Sequence, residues 1–187
     1  MLRMTFFIEV DMFIETERLI IRDLKKSDAK AMYDYAKKSH IGPMAGWDPH
    51  TSLLETRKIL LWMMKPKDVY AITLKPNDRL IGTIGLHERN HQHKNKKVLE
   101  MGYVLDDIYW GQGYMPEAVK AIISYGFQTL KLDGINVGHK PSNTQSEKVI
   151  LKTGFKHTHY ETRRSHMNQE YIVKMYHKRR EDYEQNI

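Results

Sequence analysis

The segment Val104-Leu-Asp-Asp-Ile-Tyr-Trp-Gly-Gln-Gly-Tyr-Met-Pro-Glu-Ala118 holds the residues of this chain best able to do chemistry. A strand-like run leads into Gly111 and Gly113, and a helical pattern follows from Pro116. The two glycines let the backbone turn freely and approach a ligand closely. Proline suits a first helical turn, where its missing N–H is no loss. The N–H groups from Gln112 through Gly113 and Tyr114 to Met115 then point outward at the positive end of a helix. The chemistry expected of such a loop is anion binding by backbone alone. It is not a nucleotide P-loop, because no G-x-x-x-x-G-K-[ST] is present. A dinucleotide fingerprint also fails, because Pro116 stands where a third glycine is required. For the Gly-x-Gly on its own, an ordinary strand-to-helix turn is the plain alternative.

Such a loop needs a strand behind it and a rigid helix ahead. Val98–Leu105 reads as the strand, and Pro116–Leu130 as the helix. Ala118, Val119, Ile122, Ile123 and Phe127 fall on one face of that helix, which therefore packs on a sheet. Upstream, 14–23 reads as one strand, and Ser27-Asp28 caps a helix to Lys38. The segment 41–49, with two Gly and two Pro, reads as loop, and Thr51 as the cap of a second helix. Strands at 69–74 and 80–86 flank the turn Lys75-Pro-Asn-Asp78 and form a hairpin. Downstream come a strand at 135–139, a helix capped by Ser142 and stopped at Gly154, and a closing hairpin of 157–161 and 170–177. The order β-α-α-β-β-β-α-β-α-β-β implies a mixed α/β sheet. With no repeat or linker composition, residues 1–187 read as a single domain. Residues 1–11 read as an extension, with Met12 as another start, and 178–187 as a tail.

Six short stretches then occur in one order: Glu15-Thr-Glu-Arg-Leu-Ile-Ile-Arg22, Leu80-Ile-Gly-Thr-Ile-Gly85, Met101-Gly-Tyr103, Trp110-Gly-Gln-Gly-Tyr-Met-Pro-Glu-Ala118, Asn143-x-x-Ser146 and Gly154-Phe155. With them the chain resembles the GCN5-related N-acetyltransferases (GNAT), in the RimJ/RimL-like branch that acetylates ribosomal-protein N-termini. The resemblance covers roughly residues 12–177 and implies an α/β GNAT fold. In that fold a mixed, mostly antiparallel sheet is flanked by helices, and CoA sits at the splay between two central parallel strands. The family loop pattern is Arg/Gln-x-x-Gly-x-Gly/Ala, whereas this chain has Trp110, Gly113 and Met115. The backbone donors survive both departures, but one helpful positive charge is absent.

The resemblance implies acetyl-CoA as cosubstrate, no metal, and a primary amine as acceptor. Amines are largely protonated at neutral pH, so the nucleophile must lose a proton and the leaving thiolate must gain one. With no cysteine in the chain, direct attack in a ternary complex is the expected route. Glu100 is expected as the base, acting through a water, with a solvent-facing Glu or an ion-pair partner as the alternative reading. Ser146 is expected as the acid, because Ile150 stands where another branch has a tyrosine. The resemblance makes Asn143 and Ser146 pantetheine contacts, and gives strand-edge groups of Val104 and Leu105 to the same chain. A backbone N–H near Tyr103 is expected to polarise the acetyl carbonyl. Gln112, Gly113, Tyr114, Met115 and Pro116 are the pyrophosphate loop. Trp47 is expected to wall the acceptor pocket, Trp62 and Met63-Met64 to be core, and His87 to be a satisfied or surface histidine rather than one facing the acceptor.

Composition narrows the rest. Of 187 residues 41% are hydrophobic and 28% charged, enough to bury a core. Zero cysteines exclude disulfides, thiolate metal sites and a cysteine nucleophile, and fit a reducing, cytoplasmic setting. No apolar run reaches the length of a signal peptide core or a spanning helix, so no membrane partner is expected. The basic patches at 91–97 and 177–180 read as solvated surface. A net charge of +7 suits phosphates, and a CoA tail accounts for it without nucleic acid. His91 and His93 have no metal partners at a recognisable spacing. The alternatives kept open are a small-amine acetyltransferase (polyamine, amino acid or antibiotic), a non-catalytic acyl-CoA-binding or regulatory module, and a ribosome- or RNA-associated binding protein resting on charge alone. A homodimer is expected from the resemblance alone.

Overall fold

A computed structural model describes residues 11–89, 96–164 and 168–185. The start at 1–10, most of the basic patch at 91–97 with His91 and His93, and the last two residues lie outside that set. Eight strands form one sheet in the order β1-β2-β3-β4-β5-β6-β8-β7. They are β1 Phe13–Glu15, β2 Leu19–Asp23, β3 Val69–Leu74, β4 Arg79–His87, β5 Val98–Leu105, β6 Gly134–His139, β7 Lys156–Arg164 and β8 Glu170–Arg179. The helices are α1 Ala29–Ala36, α2 Gly42–Ala45, α3 Leu53–Met63, α4 Tyr114–Gln128, α5 Thr144–Lys152 and α6 Arg180–Glu184.

Every neighbouring pair is antiparallel except β5 and β6. That parallel pair is short, running from Val98↔Gly134 to Met101↔Val137. Beyond Met101, β5 continues to Leu105 without pairing to β6. The sheet is therefore split at its centre, between a strand that leads into the glycine loop and one that leads into α5.

Two apolar layers hold this sheet. On one side α4 buries Ala118, Val119, Ile122, Ile123 and Phe127 against Ile84, Leu86 and Met101. Each large side chain removed from water contributes about 1.5–3 kcal/mol, so α4 and the loop before it are firmly seated. On the other side α1 and α3 bury Met32, Tyr35 and Leu60 against Ala71 and Leu80. Buried Arg22 ties this layer down, binding both oxygens of Asp28 at 2.9 Å and Asp78 at 2.7 Å.

Several expectations shift. The strand at 14–23 is two strands, because the chain doubles back at 16–18 with Thr16 N–H on the Leu19 carbonyl. The loop 41–49 contains the single turn α2, which Pro43 opens and Gly46 ends in the left-handed region. Both helix caps move by one residue, to Ser52 and Asn143, whose side-chain oxygens accept from Glu55 and Ser146 N–H groups. The tail at 178–185 is ordered: β8 runs to Arg179, Arg180 donates to the Phe127 carbonyl, and Tyr183 packs on the Phe127 ring at 5.2 Å. Trp62 is 69% exposed rather than core. It lies two residues, about 200° of helix, from buried Leu60.

Candidate active site

The glycine loop is built as the residue types require. Gly111 and Gly113 have φ of 75° and 83°, and Gly113 is the N-cap of α4. Met115 turns its side chain into the core at 5% exposure, so its bulk does not crowd the loop. Trp110 braces the loop, its indole N–H donating to the Leu105 carbonyl at 2.9 Å. One of the Leu105 groups expected to serve a ligand is thus already engaged.

A second brace was not legible in the sequence. Arg18 donates to the Gln112 carbonyl at 2.9 Å, lies 4.4 Å over the Tyr114 ring, and binds Glu117 at 2.7 Å. Glu117 also accepts from Thr16 Oγ1 at 2.6 Å and from the Arg18 backbone at 2.9 Å. Burial would raise this carboxyl, but the hydrogen bonds from Thr16 and Arg18 outweigh it and hold it below the ordinary range. The first hairpin is thereby clamped to the first turn of α4, behind the outward-facing N–H groups.

One cavity of about 1000 Å³ runs through the split in the sheet. Gly113, Tyr114, Met115, Pro116, Asn143 and Ser146 are among its lining residues. Val104 and Leu105 border the same space, and Lys148 and Lys152 of α5 add positive charge to it. Gln112 is in the loop but does not line the cavity; its amide nitrogen donates to the Ile108 carbonyl.

The structure brings Ser146 to a partner the sequence did not single out. Its Oγ lies 2.9 Å from the Tyr103 hydroxyl, between α5 and the divergent end of β5. Burial pushes the Tyr103 phenol well above its ordinary range, although the Ser146 hydrogen bond partly offsets this. The pair therefore stays protonated and able to donate at physiological pH. Asn143 Oδ1 accepts from the Ser146 backbone N–H at 3.1 Å, so its amide nitrogen is the group left for a ligand.

Glu100 lies on the far side of the same cavity, in a different setting. It is 6% exposed, and its two oxygens accept from the two terminal nitrogens of Arg163 at 2.7 Å. Arg89 Nε stands 3.6 Å away. Both carboxylate oxygens are thus engaged by a guanidinium, as the ion-pair reading has it. Glu100 and Ser146 thus line the same cavity.

Elsewhere the cavity is walled by side chains from several elements. Trp47 lines it, packing over Gly42 and against the His50 ring at 5.1 Å. Trp62 and Tyr171 lie on its rim. His87 lines it from β4, its Nδ1 2.8 Å from Asp68 Oδ2.

Residues 18–156 match the model of the acetyltransferase (GNAT) domain. An uncharacterized N-acetyltransferase p20 of Bacillus licheniformis is 29% identical over 145 residues, 75% of this chain and 80% of that protein. A GNAT acetyltransferase structure from Bacillus anthracis superposes with a TM-score of 0.81 at 27% identity, covering 91% of this chain and 99% of that one. A ribosomal-protein-S5-alanine acetyltransferase from Vibrio fischeri gives 0.71 at 25% identity, covering 92% and 99%. A spermidine N-acetyltransferase from Vibrio cholerae, solved with CoA and spermine, gives 0.73 at 18% identity over 90% and 99% of the two chains. With the split sheet and the glycine loop now joined to a family match over most of its length, this chain belongs to the GNAT acetyltransferases and is an acyltransferase.

Proposed function

We propose that the chain transfers the acetyl group of acetyl-CoA to a primary amine by direct attack in a ternary complex, and that the amine is a protein N-terminus. One observation carries the cosubstrate reading. β5 parts from β6 after Met101, beside the N-terminus of α4 and within one cavity. The loop N–H groups suit a pyrophosphate, and the unpaired edge of β5 from Gly102 onward suits an extended amide chain such as pantetheine. Lys148 and Lys152 favour the further phosphate charge.

In this reading the amine nitrogen forms a bond to the acetyl carbon as the carbon–sulfur bond breaks. The leaving sulfur takes its proton from the Ser146–Tyr103 hydroxyl pair. Asn143 orients the pantetheine amides through its side-chain amide. Glu100 frames the acceptor side as an ion-paired carboxylate.

The protein N-terminus is favoured because the S5-alanine acetyltransferase shares 25% identity over 92% of the chain, against 18% over 90% for the spermidine enzyme. A cytoplasmic setting belongs to the same reading, consistent with the absence of cysteine. No helix among the described residues is long and apolar enough to cross a membrane.

The test is acetyl-CoA consumption with Ser- and Ala-initiated ribosomal-protein peptides, spermidine and free amino acids as acceptors. Transfer to the peptides, with kcat falling about 10²-fold or more in Ser146→Ala, is the expected result. Transfer to spermidine alone moves the acceptor to small amines. No transfer to any amine by a protein that binds CoA overturns the proposal.

A further inference from the structure

We infer that His87, oriented by Asp68, is the base that takes the proton from the acceptor amine. The inference rests on the acetyl-transfer reading above and gives it the group that Glu100 does not supply.

The placement follows from the register of β4 and β5. Gly85 pairs with Gly102, and His87 with Glu100, on the face opposite Ile84 and Leu86. Two glycines in register leave a bare patch of sheet, and the His87 ring lies over it. A Cβ built on Gly102 would stand 3.5 Å from His87 Nε2. Gly102 is the first residue of β5 beyond its last pair with β6. Nε2 is therefore held above the mouth of the split, where the donor side of the cavity meets the acceptor side.

The chemistry follows from the partner. Asp68 Oδ2 is 2.8 Å from Nδ1, and an ionised carboxylate can only accept a hydrogen bond. The proton of the neutral ring therefore sits on Nδ1, and Nε2 presents its lone pair. Nε2 has no hydrogen-bond partner among the described residues. Asp68 Oδ1 is buried and likewise without a partner among them. It leaves acceptor capacity, and negative charge, beside an imidazolium once one forms. The arrangement depends on Gly85: a Cβ there would lie 2.5 Å from the Asp68 carbonyl oxygen and 2.9 Å from the His87 ring. Asp68 and His87 are each about one-third exposed, at 31% and 32%, so a proton can leave the ring to water.

The step balances. The acceptor ammonium gives one proton to Nε2, which passes it to solvent. The neutral nitrogen attacks the acetyl carbon and the thiolate departs with the carbon–sulfur electrons. The hydroxyl pair of Ser146 and Tyr103 protonates the sulfur, and the second proton shed by the nitrogen restores that pair through water. His87 is a catalytic residue in this scheme, and Asp68 a positioning residue.

The charged groups facing His87 are Asp68 before β3, Glu100 on β5, Arg89 after β4 and Arg163 on β7. His40, His50 and Glu55 line the same cavity from the α1 and α3 side. The test is the pH profile of acetyl transfer to Ser- and Ala-initiated peptides and spermidine, with CoA affinity measured in parallel. The scheme requires a neutral His87 ring, so acetyl transfer falls off on the acid side of the profile. In His87→Gln this acid limb disappears and kcat falls about 10²-fold or more, with CoA affinity within twofold. Asp68→Asn loses less and displaces the limb, whereas Glu100→Gln retains it. Persistence of the limb in His87→Gln, or its loss in Glu100→Gln, overturns the inference while leaving acetyl transfer intact. No transfer by the wild type overturns the wider reading as well. Nitrogen NMR of the wild type against His87→Gln adds a readout that needs no acceptor. The Nδ1–H tautomer of His87 is expected, and the Nε2–H tautomer overturns the inference.

Discussion

The two sides of the central cavity are made differently. The side proposed for the acetyl donor is backbone: two left-handed glycines, a helix N-terminus and the unpaired edge of β5. The side proposed for the acceptor is side chains brought from distant positions: Asp68 to His87, and Glu100 to Arg163. A backbone site tolerates changes of side chain, which is why Trp110 and Met115 stand at motif positions without spoiling the loop. A side-chain site tolerates none of its members being lost, because each satisfies a neighbour in a partly buried space.

The largest effect should come from the acceptor frame. Arg163→Ala leaves Glu100 buried without its bidentate partner, at an expected cost of about 3–5 kcal/mol in urea unfolding. CoA affinity of the folded fraction should hold. Loss of CoA binding there would mean that the two sides are not separable.

Next come two glycines, one on each side. Gly85→Ala drives a Cβ against the Asp68 carbonyl and should cost about 1–3 kcal/mol, depress acetyl transfer and spare CoA affinity. Gly113→Ala forces an L-residue to φ of 83° and should cost about 1–2 kcal/mol. It should raise the Kd for CoA while leaving the acceptor KM unchanged. Calorimetric CoA titration and steady-state kinetics on both variants decide whether the losses partition this way.

Asn143→Ala removes the α5 cap and should cost about 1 kcal/mol in thermal or urea unfolding. The Ser146–Tyr103 contact depends on that helix end, so kcat should fall less than in Ser146→Ala.

The smallest effect is a pH dependence on the donor side. The folded-state carboxyl of Glu117 is depressed, so its contribution is complete above the ordinary glutamate range. It is lost as pH falls through the lower folded value. Glu117→Gln should flatten that acid dependence and cost about 0.3–1 kcal/mol at neutral pH, the scale of an acidic residue at a helix N-terminus. Urea midpoints from pH 3 to pH 7 measure it. An unchanged acid dependence in Glu117→Gln would remove the clamp from the account of the loop.

What could be read before folding differed by side in the same way. β3, β5 and the buried face of α4 followed from periodicity, because a strand or helix pattern is written within a few residues. The loop followed from Gly111, Gly113 and Pro116, whose backbone preferences act where they stand. Short-range competition blurred other points. Ser52 displaced Thr51 and Asn143 displaced Ser142 as caps, because adjacent polar residues offer nearly equivalent hydrogen bonds. Arg18 was within a recognised stretch, but nothing local to it signals that it reaches the Gln112 carbonyl.

The sequence alone thus determined the glycine loop, the helix after it and the succession of strands from β3 to β8 along the chain. Only the tertiary structure decided which side chains meet. Asp68 and His87 are 19 positions apart, Tyr103 and Ser146 are 43, and Glu100 and Arg163 are 63. Such pairs depend on strand register and on which face of the sheet each residue takes, and a shift of one residue would reverse both. Backbone geometry is encoded where it occurs, whereas a contact between remote side chains exists only once the sheet has been assembled.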